Sequence, residues 1–413
     1  MKRSFSLRHR LLLVSGLGLI AATYGLVRLA YGLFLPDVQR DLGLRSDAAG
    51  WVSSGASALY CVGAVAGFVL AARMPRVLVT VATLVAGVGA IAMATAGGSL
   101  AFGVSAVLAS AGAGLASPAL VRIVAEQVPS ALLGRAQAIV NAGTGPGLVG
   151  AGALALVLLP DWRTAWAVSG VFALAVGALL LVVSRGGTAA SRSPLPGTPW
   201  FAAHRGVLVL ALLFGAGSAV VWTYGRSALV EAGASVVVSV SAWIALGIGG
   251  AAVVVTARWT NGLRARTLWA VTAGSVAVAV VVLGAAPQST VAALLACAVF
   301  GWGYTAATGA LIAWTTEIDA ERSSAGTSML FVALVLGQAV GAAGAGALVG
   351  AIGFVVTFVV GAGATAASAV PAVVRRPGGV RAVRAAGGAR SSGCTPATPG
   401  VPPGQQSRGR GGP

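Results

Sequence analysis

Two arginines lie inside otherwise apolar stretches of the sequence, and their type and position make them the first candidates for chemistry. Arg28 falls in the apolar run 11–35 and Arg226 in the run 206–229. A charged side chain at the centre of a membrane-spanning helix costs about 2.5–3.5 kcal/mol, so such a residue normally faces a bundle interior or a water-filled cavity. We therefore predict that both bind a solute; for each, the alternative is a structural role or a side chain that snorkels outward.

Acidic side chains to balance these arginines are missing from the predicted spans. The nine carboxylates fall in predicted loops or at helix ends: Asp37, Asp41, Asp47, Glu126, Asp161, Glu231, Glu317, Asp319 and Glu321. A buried cation without a partner needs an anion, so we expect the solute to supply it. Proton coupling would need a titratable group, and Glu126 is the candidate, although Arg122 one turn earlier makes a structural ion pair the simpler interpretation.

Aromatic and amide side chains complete the predicted binding set. Trp302 and Tyr304 fall near the middle of one apolar run, and Gln338 falls in the middle of the next, where it is equally typical of a helix–helix hydrogen bond. Trp222 and Tyr224 are equally typical of the aromatic belt at a membrane interface. The predicted substrate-binding residues are Arg28, Tyr31, Tyr24, Arg226, Trp302, Tyr304 and Gln338.

The composition places these residues in a polytopic membrane protein. Of the 413 residues, 57% are apolar and only 9% are charged, and the mean hydropathy is +0.91. A soluble domain carries about 25% charged residues. The hydropathy pattern predicts twelve spans, at 11–35, 48–72, 77–96, 100–125, 136–159, 164–184, 206–229, 236–256, 268–286, 290–314, 324–349 and 353–374.

Basic residues predict the orientation of these spans. Outside the apolar runs they fall in alternate loops and at both ends of the chain, and only Arg40, Arg45 and Arg163 fall on the other side. The side richer in arginine and lysine is cytoplasmic, so both termini are predicted to be cytoplasmic. The formal charge of +18 therefore indicates topology rather than binding of nucleic acid.

The longest polar connector divides the twelve spans into six and six. The predicted organisation is a basic N-terminus at 1–10, a six-helix bundle at 11–184, a linker at 185–205, a second bundle at 206–374 and a tail at 375–413. The tail has seven arginines and no acid, a composition that predicts disorder.

Other functional classes find little support. The three cysteines, Cys61, Cys297 and Cys394, have no CxxC spacing, and His9 and His204 fall in predicted basic loops. No metal site, cofactor or catalytic constellation is predicted, which argues against an enzyme. A non-transporting sensor or an intramembrane enzyme remains the alternative from a different class.

The two halves repeat short motifs, and these carry a resemblance to a known family. Thr23-Tyr24-Gly25 near Arg28 recurs as Thr223-Tyr224-Gly225 beside Arg226. The chain resembles a twelve-helix major facilitator superfamily transporter of a bacterial permease branch over about residues 8–374. The resemblance is carried by Tyr24-Gly25, Arg28, Tyr31-Gly32, Leu35-Pro36, Asp37 to Trp51, Asp161-Trp162-Arg163, Gly303-Tyr304, Trp314, Gly337-Gln338 and Gly341.

The resemblance implies an all-α fold of two pseudo-symmetric bundles that works by alternating access, with spans one and seven facing each other across a cavity. Arg73 and Arg76 resemble the gating loop after span two, without its usual acid. Gly145-Pro146 resembles an antiporter motif, and Asn141 is interpreted as a gate or packing residue.

The function predicted from these observations is secondary transport of a small organic solute, with an anion preferred. Efflux of drugs or metabolites by antiport is the alternative. The predicted partners are the solute and the lipid bilayer, without nucleic acid, and the protein is predicted to be a monomer in the bacterial cytoplasmic membrane.

Overall fold

A computed structural model describes residues 6–184, 197–260 and 262–374, and gives side-chain positions as far as residue 370. These residues are helical, with short connections and no strand among them. Lys2 and Arg3, most of the predicted linker and the tail after residue 374, with Cys394, lie outside the described residues. By its contacts the chain divides into a unit of Met1–Val373 and a second of Val374–Pro413.

Eleven helices of the described ranges are long and apolar enough to cross a membrane. They are Leu7–Leu42, Ser46–Leu70, Pro75–Ala94, Ser99–Gln127, Ser130–Leu158, Trp162–Val183, Thr198–Glu231, Val236–Thr260, Ala265–Ala285, Thr290–Ile318 and Ser323–Val370. We number them as spans 1 to 11, in chain order, with the last one divided as follows.

The last of these helices contains two spans. Its backbone leaves the helical region at Gly353, where φ is 80° and ψ is 178°. Glycine adopts a positive φ without the steric cost that a Cβ would bring. We therefore count 323–352 as span 11 and 353–374 as span 12, which agrees with the twelve predicted spans.

Span 1 extends beyond its predicted end and has three parts. An α-helix at Leu7–Ile20 continues into a π-helix at Ala21–Leu29 and then an α-helix at Ala30–Leu42. Pro36 does not end the helix, which instead ends at Gly43 in the left-handed conformation, with φ of 62°. Asp37, predicted at a helix end, therefore lies inside span 1.

Span 7 begins earlier than predicted. Its helix starts at Thr198, so the last part of the predicted linker, 198–205, is helical. Span 5 is interrupted between Ser130–Asn141 and Thr144–Leu158. Residues with small side chains surround this interruption, and the two helices still form one crossing.

Helix packing repeats between the two halves. Span 4 packs against spans 2 and 3, and span 10 packs against spans 8 and 9. The halves meet where span 1 contacts span 7 and where span 5 contacts span 8. Small residues allow these approaches: a Cβ atom at Gly32 of span 1 would overlap the carbonyl oxygen of Trp222 in span 7.

Candidate solute-binding site

Arg28 lies on the π-helical part of span 1, where the two halves of the molecule meet. Its Nη2 donates to Gln338 Oε1 at 3.0 Å and lies 3.5 Å from Ser57 Oγ. Its guanidinium carbon is 4.6 Å from the centre of the Tyr60 ring, a distance typical of a cation–π contact. π-Helical segments are rare and occur mostly at functional sites. Arg28 therefore lies between span 1, span 2 and span 11 in this structure.

A small cavity of about 30 Å³ adjoins Arg28. The side chains around it come from both halves of the chain and include Arg28, Tyr31, Ser53, Ser57, Trp222, Thr223 and Gln338. A cavity needs roughly 10–15 Å³ of such volume to hold one water, so this space has room for only a few atoms the size of a water.

Gln338 of span 11 links Arg28 of span 1 to Tyr304 of span 10. While its Oε1 accepts from Arg28, its Nε2 donates to the Tyr304 hydroxyl at 2.9 Å. Gln338 is only 4% exposed. Spans 1, 11 and 10 therefore contribute three of the predicted binding residues to one hydrogen-bonded chain, which crosses between the halves.

Two tyrosines of span 1 take different positions around this chain. The Tyr24 hydroxyl is 3.0 Å from that of Tyr60, beside Arg28. Tyr31 donates to the carbonyl oxygen of Ala49 at 2.9 Å and stacks on Phe102. Tyr31 lines the cavity, whereas its hydroxyl is used to join spans 1 and 2.

Within the part of the chain that the structure describes, no acid balances the charge of Arg28. Among the described residues its partners are neutral, and its Nε atom is buried without a hydrogen-bond partner. Hydrogen bonds to neutral groups do not replace a counter-ion for a cation withdrawn from water. The role of Arg28 in binding an anion stays a prediction.

Trp302 does not join this group. Its indole Nε1 donates to Thr256 Oγ1 of span 8 at 2.9 Å, and it is not among the residues that line the cavity. Residues two positions apart on an α-helix point about 200° apart, so Trp302 and Tyr304 face different sides of span 10.

Arg226 is paired with an acid, so the prediction that no carboxylate is placed to neutralise it is wrong. It forms an ion pair with Asp37 and also donates to the Leu33 carbonyl oxygen at 2.6 Å and to Ser239 Oγ at 3.2 Å. The hydropathy pattern predicts Asp37 at a helix end, but the helix continues through Pro36 and places Asp37 at the contact with span 7.

His204 also departs from its predicted loop. It lies fully buried in the first turns of span 7. Its Nδ1 is 2.9 Å from the Trp200 carbonyl oxygen, its Nε2 is 2.9 Å from Thr315 Oγ1, and its ring stacks on Trp200. Nδ1 is used within span 7, and Nε2 joins span 7 to span 10.

The predicted gating residues lie in different places: on the surface, against their own half, or at the contact with the other half. Arg73 and Asn141 are exposed, while Arg76 donates to the backbone and side chain of Ser184 at the end of span 6. The Gly145-Pro146 pair begins the second helix of span 5, which packs against span 8. Their role in gating stays a prediction.

Glu126 forms an ion pair with Arg122, the neighbour that the sequence predicts. Its Oε1 lies 2.6 Å from Arg122 Nε, one turn earlier on span 4. This is the ion pair that the sequence predicts, and the role of Glu126 in proton coupling stays a prediction.

Outside the membrane, Asp161 fixes the start of span 6. Its carboxylate accepts from the Thr164 backbone N at 3.1 Å and from the Thr164 hydroxyl at 2.5 Å. The Thr164 hydroxyl and backbone hydrogen bonds stabilise the charged carboxylate and lower the pKa of Asp161 below its ordinary value. Arg163 beside it donates to the Ala94 and Ala96 carbonyl oxygens and to Asp41.

The sequence does not single out Ser57 and Tyr60, which contact Arg28, and it leaves Trp222 open between the pocket and the interfacial belt. Ser57 and Tyr60 are neutral residues three positions apart in span 2, so they lie on one helix face, but no nearby charge draws attention to them. Trp222 resembled a residue of the interfacial belt.

The comparisons with known proteins agree with this architecture. A family model described as Major Facilitator Superfamily matches residues 17–331. No curated protein matches the sequence.

Solved structures of transporters are similar in fold. The nucleoside transporter NupG has a TM-score of 0.74 at 12% identity, covering 89% of this chain and 98% of that one. The peptide transporter POT has a TM-score of 0.73 at 14% identity, with coverage of 88% and 93%. A D-xylose-proton symporter has a TM-score of 0.68 at 16% identity, with coverage of 87% and 96%. At these identities the likeness concerns the fold.

Proposed function

The chain belongs to the major facilitator superfamily and is a multi-pass membrane transporter of a small-molecule solute, not an enzyme; we propose that it is a secondary carrier of a small organic anion that works by alternating access. It resides in the bacterial cytoplasmic membrane with both termini in the cytoplasm, as the distribution of basic residues indicates.

Arg28 carries this proposal. It lies at the meeting of the two halves, beside a cavity that both line, and its partners among the described residues are neutral. An anion that binds there removes the cost of an unpaired buried charge. Loading therefore stabilises the state in which both halves surround the solute, and a ligand shifts a conformational equilibrium by its difference in affinity for the two states.

Contacts between the halves close one side of the molecule, the side of the loop at 43–45. There Tyr224 donates to the Ser46 carbonyl oxygen at 2.6 Å, Ser53 Oγ lies 2.9 Å from Thr223 Oγ1, and Arg226 pairs with a carboxylate of span 1. In the proposed orientation this is the external side. In that orientation, the contacts close the carrier towards the outside in this state.

The residues around Arg28 also bear on how transport is coupled to an energy source. Exchange of one anion for another requires no titratable carboxylate at the site, in keeping with the neutral surroundings of Arg28. If transport responds to a proton gradient, Glu126 is the proposed proton carrier.

Efflux by antiport is the second candidate, and the packing of span 5 favours it. Gly152 of this span lies against Ile244 of span 8, and the Gly145-Pro146 pair belongs to the same contact. An antiporter of apolar or cationic solutes would use this contact for its movement without using the Arg28 charge.

Uptake into liposomes that contain the purified protein distinguishes the two. A panel of labelled carboxylates, organic phosphates and cationic dyes would be compared in unmodified protein, Arg28→Gln and Arg28→Lys, with and without a pH gradient. Arg205→Gln serves as a matched control because Arg205 is exposed. We expect saturable anion uptake that Arg28→Gln abolishes and Arg205→Gln leaves intact. Dye transport unaffected by Arg28→Gln would refute the anion site.

A further inference from the structure

Serine and threonine hydroxyl groups from both halves lie around the cavity beside Arg28. Ser53 and Ser57 belong to span 2, Thr223 belongs to span 7, and each of them lines the cavity. Ser53 Oγ lies 2.9 Å from Thr223 Oγ1, and Ser57 Oγ accepts from Arg28 Nη2 at 3.5 Å. A hydroxyl group both donates and accepts hydrogen bonds. The space next to the cation is therefore lined by groups that suit a hydroxylated ligand.

The hydrogen bonds of these hydroxyl groups leave protons for a ligand. In the bond between Ser53 and Thr223 one hydroxyl donates, so the proton of the other is not used there. Ser57 accepts from Arg28 and keeps its own proton. Within the described parts of the chain these hydroxyls have no further hydrogen-bond partner. Because Ser57 and Thr223 are buried and an unmet buried donor is costly, the lining favours a ligand with acceptor atoms at both places.

The two serines of span 2 set the distance between these places. Residues four positions apart on a helix lie on the same face, about 5–6 Å apart between their Cβ atoms. Ser57 lies at the Arg28 guanidinium, and Ser53, one turn nearer to the loop at 43–45, meets Thr223. A ligand whose carboxylate contacts Arg28 and Ser57 therefore reaches the Ser53 and Thr223 pair with a group about one helix turn away, roughly 5 Å.

The rest of the lining restricts the charge and the length of the ligand. Leu29, Ala56 and Ala219 are apolar, which suits a carbon chain between the two polar ends. Among the described residues around the cavity Arg28 carries the charge, so a second negative charge on the ligand would stay unpaired in a space withdrawn from water. The cavity of about 30 Å³ has room for only a few water-sized atoms, so a short ligand requires the smallest separation of the halves.

We propose, on the basis of the anion carrier proposed above, that the transported solute is a short hydroxylated monocarboxylate and that Ser53 and Thr223 recognise its hydroxyl group. The carboxylate accepts from the Arg28 guanidinium and from the Ser57 hydroxyl. The hydroxyl of the solute enters between Ser53 and Thr223, donating to one and accepting from the other. The direct bond between spans 2 and 7 is thereby replaced by two bonds through the solute, so that binding favours the state in which the halves meet.

Isothermal titration calorimetry of the purified full-length protein tests this ligand class without a flux measurement. The probes are 4-hydroxybutyrate, butyrate and succinate, which share one chain length and differ in the group at the far end. We expect 4-hydroxybutyrate to bind about tenfold more tightly than butyrate, the scale of one hydrogen bond. Succinate should bind more weakly than 4-hydroxybutyrate, because its second charge has no partner at the site.

Variants locate the residues that recognise the hydroxyl. Ser53→Ala and Thr223→Val each remove one hydroxyl group, and we expect each to lose the preference for 4-hydroxybutyrate while butyrate binds as before. Since both probes are measured on the same variant, the ratio of their affinities does not depend on a change in stability. Ser218→Ala is the matched control, because Ser218 is buried in span 7, donates to the Gly215 carbonyl oxygen of its own helix at 3.1 Å and is not part of the cavity lining. It should keep the preference.

The outcomes distinguish this inference from the proposed function. If 4-hydroxybutyrate and butyrate bind equally and both need Arg28, the hydroxyl preference is wrong and the anion carrier stands. A preference that persists in Ser53→Ala and Thr223→Val, or that Ser218→Ala also removes, would exclude this pair as the recognition site. Tighter binding of succinate would overturn the single charge. If none of the three probes binds, or if binding is unchanged in Arg28→Gln, the anion site itself is refuted and this inference falls with it.

Discussion

Asp37 of span 1 and Arg226 of span 7 form an ion pair in which both side chains are buried, at 4% and 1% exposure. The pair lies at the side of the loop at 43–45, beside a vestibule of about 410 Å³ that Asp37 lines with Arg40, Asp41 and Arg163. Since one partner comes from each half, the pair contributes to closing that side and must break when the side opens.

Removal of either charge should open this side. Arg226→Gln leaves a buried carboxylate and Asp37→Asn leaves a buried guanidinium, and loss of one partner of a buried pair typically costs about 3–5 kcal/mol. Spin labels at Thr95→Cys and Gln288→Cys, exposed positions on this side in different halves, would report the distance between the halves by double electron–electron resonance, with the three native cysteines replaced. We expect a longer distance in both variants.

The matched control is Asp41→Asn. Asp41 lines the same vestibule, but its partner Arg163 is 38% exposed, and Asp41 itself is 49% exposed. Such surface pairs contribute about 0–1 kcal/mol, so the label distance should not change. An unchanged distance in Arg226→Gln and Asp37→Asn would show that the pair does not hold this side closed.

A side chain at Gly32 should prevent closure by its volume. A Cβ atom there would overlap the Trp222 carbonyl oxygen, which belongs to the backbone and cannot rotate away. We expect Gly32→Ala to lengthen the same label distance and to slow transport at least severalfold. Gly274→Ala is the control, because a Cβ at Gly274 of span 9 meets no atom within 4 Å. If Gly32→Ala behaves like Gly274→Ala, spans 1 and 7 do not require the close approach.

Replacement of Gln338 by glutamate should block anion binding, because the new carboxylate competes with the anion for Arg28. The new carboxylate would occupy the place of the amide oxygen that lies 3.0 Å from Arg28 Nη2 and would balance its charge. We expect anion uptake to fall by tenfold or more, while the unfolding temperature stays the same or rises. Gln338→Leu removes the hydrogen bond without adding charge and should retain more uptake. Equal uptake in Gln338→Glu and unmodified protein would argue against an anion at Arg28.

The Asp161 cap should contribute stability that depends on pH. Asp161→Ala removes an N-terminal cap, which typically costs about 1 kcal/mol, so the unfolding temperature should fall at pH 7. The pKa of Asp161 is lowered in the folded protein by its bonds to Thr164. The contribution is therefore present above the ordinary aspartate pKa of about 3.9 and is lost as pH falls through the lowered value. The difference between variant and unmodified protein should shrink below about pH 4; a constant difference would contradict this account.

The number of spans could be predicted from the sequence because each crossing of a membrane requires its own run of about 20 apolar residues. The same rule drew attention to Arg28, whose charge interrupts such a run. The ends of the spans are harder to predict: the hydropathy pattern ends span 1 at residue 35, whereas its helix extends to Leu42. Hydropathy responds to composition, whereas a helix end depends on local hydrogen bonds and caps.

Hydropathy is enough to predict that this protein crosses the membrane about twelve times and carries arginines where they are costly. Which arginine lacks an acidic partner among the described residues depends on how the helices pack. Arg28 meets the neutral Gln338, which is 310 positions away, whereas Arg226 meets Asp37, which is 189 positions away. The two arginines have similar local sequences, but charge balance depends on which side chains the packing of distant helices brings within hydrogen-bonding distance.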